Sequence, residues 1–459
     1  MMVSMKLYNT LSRFKETFPE PTEQRKVRLF VCGPTVYDDA HIGHARTYLF
    51  FDFFAKYLRS QGYELNYLQN ITDIDDRIIA RAAERNAQPD EIARQFTESY
   101  FEDMHALGID AVTTYALATN FISQIVAQVE RLIEKGFAYK IENDGWYFDI
   151  AKDKDYGKLS GRTAAQAEDS VSRIDDSDNK RNKGDFCLWK FSKPGEPSWN
   201  TQIGGGRPGW HIEDTAISEY YFGPQYDIHG GADDLKFPHH EAEIAQQESA
   251  SGLKPFVRFW VHTGFLLVDG KKMSKSLGNF ITIKDFLKKY PPEILRFITL
   301  IHHYRSPIGF SDQLVFQAQA ALQNLYSHYL ALRDEDRREG PRKDHGTLSL
   351  WQKKFDAALQ DDLNTPQALA VMFDVVNDKD LSAKEKRVLL DSFDRTLGLN
   401  ITGKAVEIPP HVIEKLEEYK QRRANKQFVQ SDALRKEIEA LGYEVRDTDH
   451  GSDLVKKFF

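Results

Sequence analysis

Two stretches of this 459-residue chain combine residue types that could handle a chain of phosphates. The first is His41-Ile42-Gly43-His44, which opens a helix-forming run. The first turn of a helix offers unsatisfied amides and the positive end of the macrodipole, so it favours an anion. Imidazoles there can donate to phosphate oxygens, and Gly43 lets a charged or flat group come close to the backbone. Taken alone, His-x-x-His is as readily a pair of ordinary capping or core histidines. The second stretch is "DGKKMSKSLGNF", residues 269 to 280, with three lysines and two serines set among glycines. Such a cationic loop could close over a polyphosphate and stabilise charge that develops on it. Alone, it reads equally as a solvated loop. Cys32 poses a third question, because it ends an apolar run.

These residues need elements to hold them. "VRLFVCG" reads as a short buried strand, "ARTYLFFDFFAKYLRSQGY" as a helix closing near Gly62, and "ELNYLQNITD" as a second strand. Strand, helix, strand within about 45 residues is a βαβ unit and implies a parallel sheet. Ligands bind at the carboxyl ends of such strands, where Cys32-Gly33 and Asn70 to Thr72 fall. After an amphipathic helix from Ile122 to Lys135 and the stretch "GWYFDI" comes a polar tract, "QAEDSVSRIDDSDNKRNKGD", read as a mobile loop within an insertion. The α/β texture returns at "YDIHGGADDLKF" and "VRFWVHTGFLLVDG". Beyond Asp312, apolar residues recur at 3- and 4-residue spacing, as helices require. "RDEDRREGPRKDHG" is a solvated connector, and "NTPQALAVMF" starts a helix with Thr365 as N-cap and Pro366 at the first position. The expected fold is α/β: a doubly wound, Rossmann-type parallel sheet with an insertion, then an α-helical bundle and a small C-terminal module. The expected division is 1–115 and 204–311 for the α/β halves, 116–203 for the insertion, 312–400 for the bundle and 401–459 for the last module.

A net charge of −8 excludes an overall positive field, so nucleic-acid contact must use local basic surface. Two cysteines, Cys32 and Cys187, make no disulfide framework and point to a reducing compartment. The start, "MMVSMKLYNT", lacks a signal-peptide core, and no apolar run nears the roughly 20 residues that span a bilayer. A cytoplasmic, monomeric protein without a membrane partner is expected. Two motifs are decoys. "GGGRPG", 204 to 209, fits G-x-G-x-x-G, but no strand precedes it and Pro208 removes an amide where a helix should begin. Asp73, Asp75 and Asp76 suit a helix's first turn better than a metal cluster.

"HIGH" followed some 230 residues later by "KMSKS" is the signature pair of the class I aminoacyl-tRNA synthetases. More specifically, Val31-Cys32-Gly33, "NITDIDD" (70–76), "GWHIE" (209–213), "DIHGG" (227–231), "PHHEAEIAQ" (238–246) and "MSKSLGNF" resemble the cysteinyl-tRNA synthetase family. The likeness runs from Leu7 to about Arg435. It implies that L-cysteine and ATP, with Mg2+, form cysteinyl-adenylate and pyrophosphate, and that the acyl group then passes to the 3′ end of a tRNA specific for cysteine. His41, Gly43 and His44 would bind ATP. Lys272 and Lys275 would stabilise the departing pyrophosphate, with Lys275 the stronger candidate. Gly230 and Gly231 would lie against the adenosine. Thr72 and Trp210 match the substrate pocket, and Asp234 would meet the amino group.

The resemblance also gives Cys32 a role. The family binds one zinc ion through two cysteines, a histidine and a glutamate, and that ion grips the substrate thiolate. A soft thiolate is a far better zinc ligand than a hydroxyl, which separates cysteine from serine. The matching residues are Cys32, His239 and Glu243, the last two spaced i, i+4 on one helix face. The fourth position departs from the pattern, because Asp214 follows "GWHIE" where the family has cysteine. Aspartate can ligate zinc, so a Cys32/Asp214/His239/Glu243 site is expected, harder than the usual one. Cys187 matches no ligand and reads as a small buried hydrophobe. Lys415, Lys420, Arg422, Arg423 and Lys426 form a local basic stretch suited to a tRNA backbone. Two other readings stand beside the ligase: a cysteine–amino sugar ligase on the same catalytic fold, and a tRNA-binding protein without catalysis.

Overall fold

The computed structural model describes residues 4–21, 26–162, 179–274, 277–336, 347–404, 409–448 and 451–457. At its centre five parallel strands form one sheet. We label them β1 (Lys26–Val31), β2 (Glu64–Ile71), β3 (Thr114–Leu117), β4 (Tyr226–Ala232) and β5 (Val257–Thr263). Their order is β5-β4-β1-β2-β3, the doubly wound arrangement expected. The order reverses between β1 and β4, which lie side by side with Leu29 opposite Ile228 and Val31 opposite Gly230. At that switch point the strand ends cannot be covered by their own crossovers, so a crevice opens there.

β1 reads KVRLFV and is buried from Leu29 to Val31, as suits a strand covered on both faces. The first crossover helix, α1 (Ile42–Ser60), buries Phe50, Phe51, Phe53 and Phe54 together, so it is apolar almost all round and lies in the core. Gly62, at φ +86°, turns the chain out of it. Asp52 of α1 is fully buried and accepts from Arg296 Nη1 at 2.7 Å, from Lys56, and from the amides of Asp110 and Ala111. That ion pair fastens the helix Pro292–Leu300 to α1.

Between β3 and β4 the chain builds an antiparallel four-stranded sheet: Ala138–Ile141, Gly145–Phe148, Phe186–Phe191 and Gly206–Pro208. "GGGRPG" belongs to it. A Cβ on Gly206 would stand 2.3 Å from Lys190 O, and one on Gly209 1.9 Å from Cys187 O, so these glycines serve close strand packing. Cys187 is buried against Tyr139, Ile141 and Tyr147. Of the tract read as a mobile loop, 166–185, residues 166–178 lie outside the described residues. Two helices from this half of the chain matter below: α2 (Trp210–Phe222) and α3 (His239–Ser251).

Helices Asp312–Asp336, Thr347–Gln360, Thr365–Asn377 and Ala383–Leu397 follow, packed on α1 and on Pro292–Leu300 through one continuous core. The N-cap of the third is Asn364, whose side chain accepts from Gln367 N, with Thr365 and Pro366 inside the first turn. Asn caps at least as well as Thr, and it stands one residue earlier than the sequence reading placed the cap. The chain ends in helices Pro410–Ala424 and Phe428–Ala440 and a hairpin, Tyr443–Thr448 with Gly451–Lys456, around a separate small core. Its basic stretch is partly neutralised: Lys415 pairs with Glu437, Lys420 with Glu417 and Arg422 with Glu418. No helix among the described residues is long and apolar enough to cross a membrane.

Candidate active site and metal nest

The crevice at the β1/β4 switch point is a cleft of about 630 Å3, lined by Cys32, His41, Gly43, His44, Trp210, Asp234, Phe265, Lys272 and Met273 among others. His41 is the N-cap of α1. Its Nδ1 accepts from the amides of Gly43 at 3.1 Å and His44 at 3.3 Å, while His44 Nδ1 accepts from His41 N at 3.3 Å. This is a capping box made of two histidines. Both rings accept at Nδ1, so in the neutral form each carries its proton on Nε2 and presents it as a donor. The rings stack at 3.7 Å, and a Cβ on residue 43 would strike His41 at 2.9 Å and Met273 Cε at 2.8 Å. Burial lowers the His41 pKa to about 4 and that of His44 well below its usual value, so both are neutral donors near pH 7.

The two motifs converge because the backbone zips them. Ile42 N donates to Ile281 O at 3.1 Å and Ile283 N to Ala40 O at 2.9 Å, which ties the far end of the lysine loop to the start of α1. Lys272 reaches the cleft over the Phe265 ring, with Nζ 3.4 Å from an Asp234 carboxylate oxygen. Lys275 lies outside the described residues. Thr72 is buried behind the cleft wall, with its amide donating to Pro34 O. Trp210 does reach the wall, where it opens α2 and stacks on His239 at 4.2 Å. Gly230 and Gly231 are not wall residues. A Cβ on Gly230 would meet Phe51 at 2.2 Å and one on Gly231 His240 at 2.9 Å, so packing inside the sheet accounts for both glycines.

Cys32, which continues β1, forms one wall of the cleft and one corner of a buried nest. Asp214 comes from α2, and His239 and Glu243 come from one face of α3. His239 Nε2 stands 3.1 Å from Asp214 Oδ2 and 2.8 Å from Glu243 Oε1, and Cys32 Sγ is 3.8 Å from Glu243 Oε1. A tetrahedral zinc with bonds of about 2.0–2.3 Å sets its ligand atoms about 3.3–3.8 Å apart; the 3.8 Å edge falls in that range, while the 3.1 and 2.8 Å edges at His239 are hydrogen-bond lengths that an ion would widen. Asn70 orients the nest, since its Nδ2 donates to Asp214 Oδ1 at 2.6 Å while its Oδ1 accepts from Gly33 N at 2.7 Å. A Cβ on Gly33 would stand 1.7 Å from Asn70 O, so only glycine lets β1 and β2 end this close together.

The electrostatics favour a cation. Burial first, then the Glu243 and Asp214 carboxylates, pushes the Cys32 thiol well above its usual value. Burial also raises Glu243. Burial opposes charge on His239, yet the same two carboxylates raise it to about 10. Three acidic side chains around one imidazole leave the nest short of positive charge, and Glu243 Oε2 accepts no hydrogen bond. A buried carboxylate oxygen without a partner is costly unless an ion meets it. The donors therefore fit a zinc-type ion.

Residues the sequence reading did not single out crowd around Cys32. His229 and His240 place Nε2 at 3.2 and 3.1 Å from its sulfur, and His211 and His262 stand behind His239 and His240. Five of the chain's 14 histidines thus gather here, a density visible in "GWHIE", "DIHGG", "PHH" and "VHTG".

The family described as tRNA synthetases class I (C) catalytic domain matches residues 18–320, and a DALR domain matches residues 354–399. The solved structure of Mycobacterium tuberculosis methionyl-tRNA synthetase in complex with methionyl-adenylate shares the fold at a TM-score of 0.59 and 15% identity, covering 83% of this chain and 91% of that one. Sheet, cleft and matched residues together define a class I tRNA synthetase catalytic domain. The relatives narrow the class. A cysteine–tRNA ligase of Methanococcus maripaludis is 42% identical over 481 residues, covering 99% of each chain. One of Thermoplasma volcanium is 44% identical over 453 residues, covering 96% of this chain and 98% of its own. The chain belongs to the cysteine–tRNA ligase family.

Proposed function

We propose that this chain joins L-cysteine to its tRNA at the expense of ATP, through a cysteinyl-adenylate. One observation carries the reading. The cleft that presents the His41 and His44 donors is closed on its other side by Cys32, a corner of the buried four-donor nest. Phosphate chemistry and thiol recognition therefore face the same space. Held by Cys32, Asp214, His239 and Glu243, zinc would supply a Lewis-acidic anchor that a thiolate fills far better than a hydroxyl.

The chain's own residues do the rest. His41 and His44 donate Nε2–H to the triphosphate from positions fixed by the cap, and fixed donors cost no reorganisation during the reaction. Lys272, and Lys275 from the same loop, meet the pyrophosphate as it leaves with Mg2+. Asp234 exchanges Lys272 for the cysteine ammonium. Gly230 and Gly231, packed within β4, hold the sheet that lies beneath the adenosine. Trp210 screens the amino acid from water, and Thr72 supports that wall from behind through Pro34. Transfer to the tRNA 3′ end needs no side-chain nucleophile, because positioning and charge stabilisation suffice. The residues beyond about 400 extend the chain toward the distal parts of the tRNA, in the monomer.

The test is ATP–pyrophosphate exchange with cysteine or serine as the amino acid, before and after zinc chelation. Exchange with cysteine alone, lost on chelation and restored by zinc, is expected. Exchange that ignores chelation or accepts serine refutes the metal part, and no exchange with cysteine refutes the whole.

A further inference from the structure

A second cavity opens beside the cleft. Its volume is about 880 Å3 against about 630 Å3 for the cleft, and the two share Asp234, Phe265 and Lys272 as a common wall. Stretches far apart in sequence enclose it: the N-terminal hairpin of Lys6–Asn9 and Phe14–Thr17, residues 159–162 of the insertion, the turn after β4, and Arg305 ahead of the helical bundle. Among the described residues its lining carries five cations, Arg13, Arg162, Lys236, Lys272 and Arg305, against the carboxylates of Asp233 and Asp234. The chain as a whole carries −8, so this basic surface is local.

Aromatic rings are interleaved with that charge. The Arg305 guanidinium lies over the Tyr8 ring at 4.4 Å, that of Arg162 over Phe237 at 4.9 Å, and Lys272 Nζ over Phe265 at 3.9 Å. Each ring is half-buried and its cation exposed, so the rings steady cations that still face solvent. Arg305 is also held from behind, where Nε and Nη2 donate to the buried Asp362 carboxylate at 2.9 and 2.7 Å. Arg13 reaches across from the hairpin. A Cβ on Gly161 would stand 2.5 Å from its Nη2, so the guanidinium lies directly on the backbone of the insertion. A triphosphate calls for cations gathered at one point. Cations alternating with flat rings suit a single-stranded nucleic acid, whose phosphates alternate with bases that stack on aromatic rings or guanidinium planes. We propose that this groove takes the unpaired 3′ strand of the tRNA, with Arg13, Arg162, Lys236 and Arg305 on its phosphates and Tyr8 and Phe237 beneath its bases. A strand lying there runs up to the Asp234–Lys272 wall, and its terminal ribose reaches the acyl group by crossing that wall into the cleft.

This inference rests on the ligase reading, and the experiment keeps the two apart. Arg13→Gln/Arg162→Gln is made in the full chain, since neither residue lines the cleft or the nest. Cysteine-dependent ATP–pyrophosphate exchange and the thermal transition should stay unchanged. In aminoacylation, kcat/KM for tRNA should fall at least about tenfold, and its log–log dependence on salt should flatten by about 0.7 per lost phosphate contact. A tRNA shortened by its unpaired 3′ nucleotides should bind the variant and the unaltered chain equally. On the unaltered chain, full-length but not shortened tRNA should protect Arg13 and Arg162 from phenylglyoxal, read by mass spectrometry. Exchange that falls together with aminoacylation assigns the groove to ATP and overturns the proposal. Unchanged aminoacylation, an equal loss of affinity for the shortened tRNA, or arginines left unprotected overturn it too. No exchange in the unaltered chain refutes the ligase reading; there, and where the variant fails to fold, arginine protection decides the groove by itself.

Discussion

His41 carries two separable duties, and a pair of substitutions divides them. Its Nδ1 accepts two backbone amides at the start of α1, and its Nε2–H remains for the substrate. His41→Asn keeps a side chain that caps well but removes the Nε2–H donor; His41→Ala removes both. Loss of an N-cap costs about 1 kcal/mol, and Asn in its place holds stability within about 0.5 kcal/mol. At about 2–4 °C per kcal/mol, His41→Ala lowers the first thermal transition by a few degrees, while His41→Asn leaves it near its original place. Removing one preorganised donor from developing charge costs about 10²–10³ in rate. Both variants should therefore lose that factor in cysteine-dependent pyrophosphate exchange, although only one is less stable. If His41→Asn exchanges within about threefold of the unaltered chain, the ring is only a cap and the phosphate role is wrong. If His41→Ala melts no earlier than His41→Asn, the cap is wrong.

The same ring has a pH signature. Burial holds His41 at about 4 in the folded chain against 6.5 as its ordinary value. Between these values the unfolded chain binds the extra proton, so His41 weakens the fold as pH falls from about 6.5 toward 4. Above 6.5 it adds no slope. The contribution is on the order of 1–3 kcal/mol at the acid end. Urea titrations of His41→Asn and the unaltered chain should therefore agree above pH 7 and separate below 6, with the variant flatter; parallel curves would contradict the buried neutral ring.

Asp214→Cys replaces an oxygen ligand with a thiolate of the same charge, so zinc affinity should rise at least about tenfold in competition with a chromophoric chelator; an unchanged affinity would show that Asp214 does not touch the metal. Gly230→Ala drives a Cβ to within 2.2 Å of Phe51, and overpacking of this kind costs about 1–3 kcal/mol. Phe51→Leu in the same chain should recover part of that loss, whereas a harmless Gly230→Ala would contradict the packing account of this glycine. Asp52→Ala strands the buried Arg296 guanidinium, at a cost of about 3–5 kcal/mol in urea unfolding, and replacing both residues by apolar ones should cost less than the single change.

What the sequence made legible was whatever local chemistry decides. The βαβ unit was readable because β1 and β2 are short apolar runs flanking one helix, and its parallel sense follows from the crossover alone. The His41 and His44 turn was readable because a cap is a matter of three or four consecutive residues. Helix spacing likewise put His239 and Glu243 on one face, and the structure confirms them on α3. Where two neighbours could both cap, local chemistry was ambiguous, and Asn364 rather than Thr365 took the role.

The remainder depends on which strands become neighbours. β1 and β4 adjoin although 197 residues separate Cys32 from His229. No periodicity reports that adjacency, so His229 and His240 read as motif filler until the two strands are laid together. Gly230 invited a ligand-contact reading for the same reason: a residue without a Cβ leaves room, but sequence does not say for what, and here Phe51 takes it. The depth of Thr72 was hidden for a related reason, since the burial of a residue at a strand's end depends on the loop that folds over it, and Pro34 folds over this one. The non-local sheet order that hid these partners is also what created the site. Only where the winding reverses do two adjacent strands send their crossovers to opposite faces, leaving strand ends uncovered. Cys32 stands just past the end of one such strand and His229 midway along the other, with Asp214 and His239 on the helices that flank them. A thiol at that point could hardly avoid both the nest and the cleft.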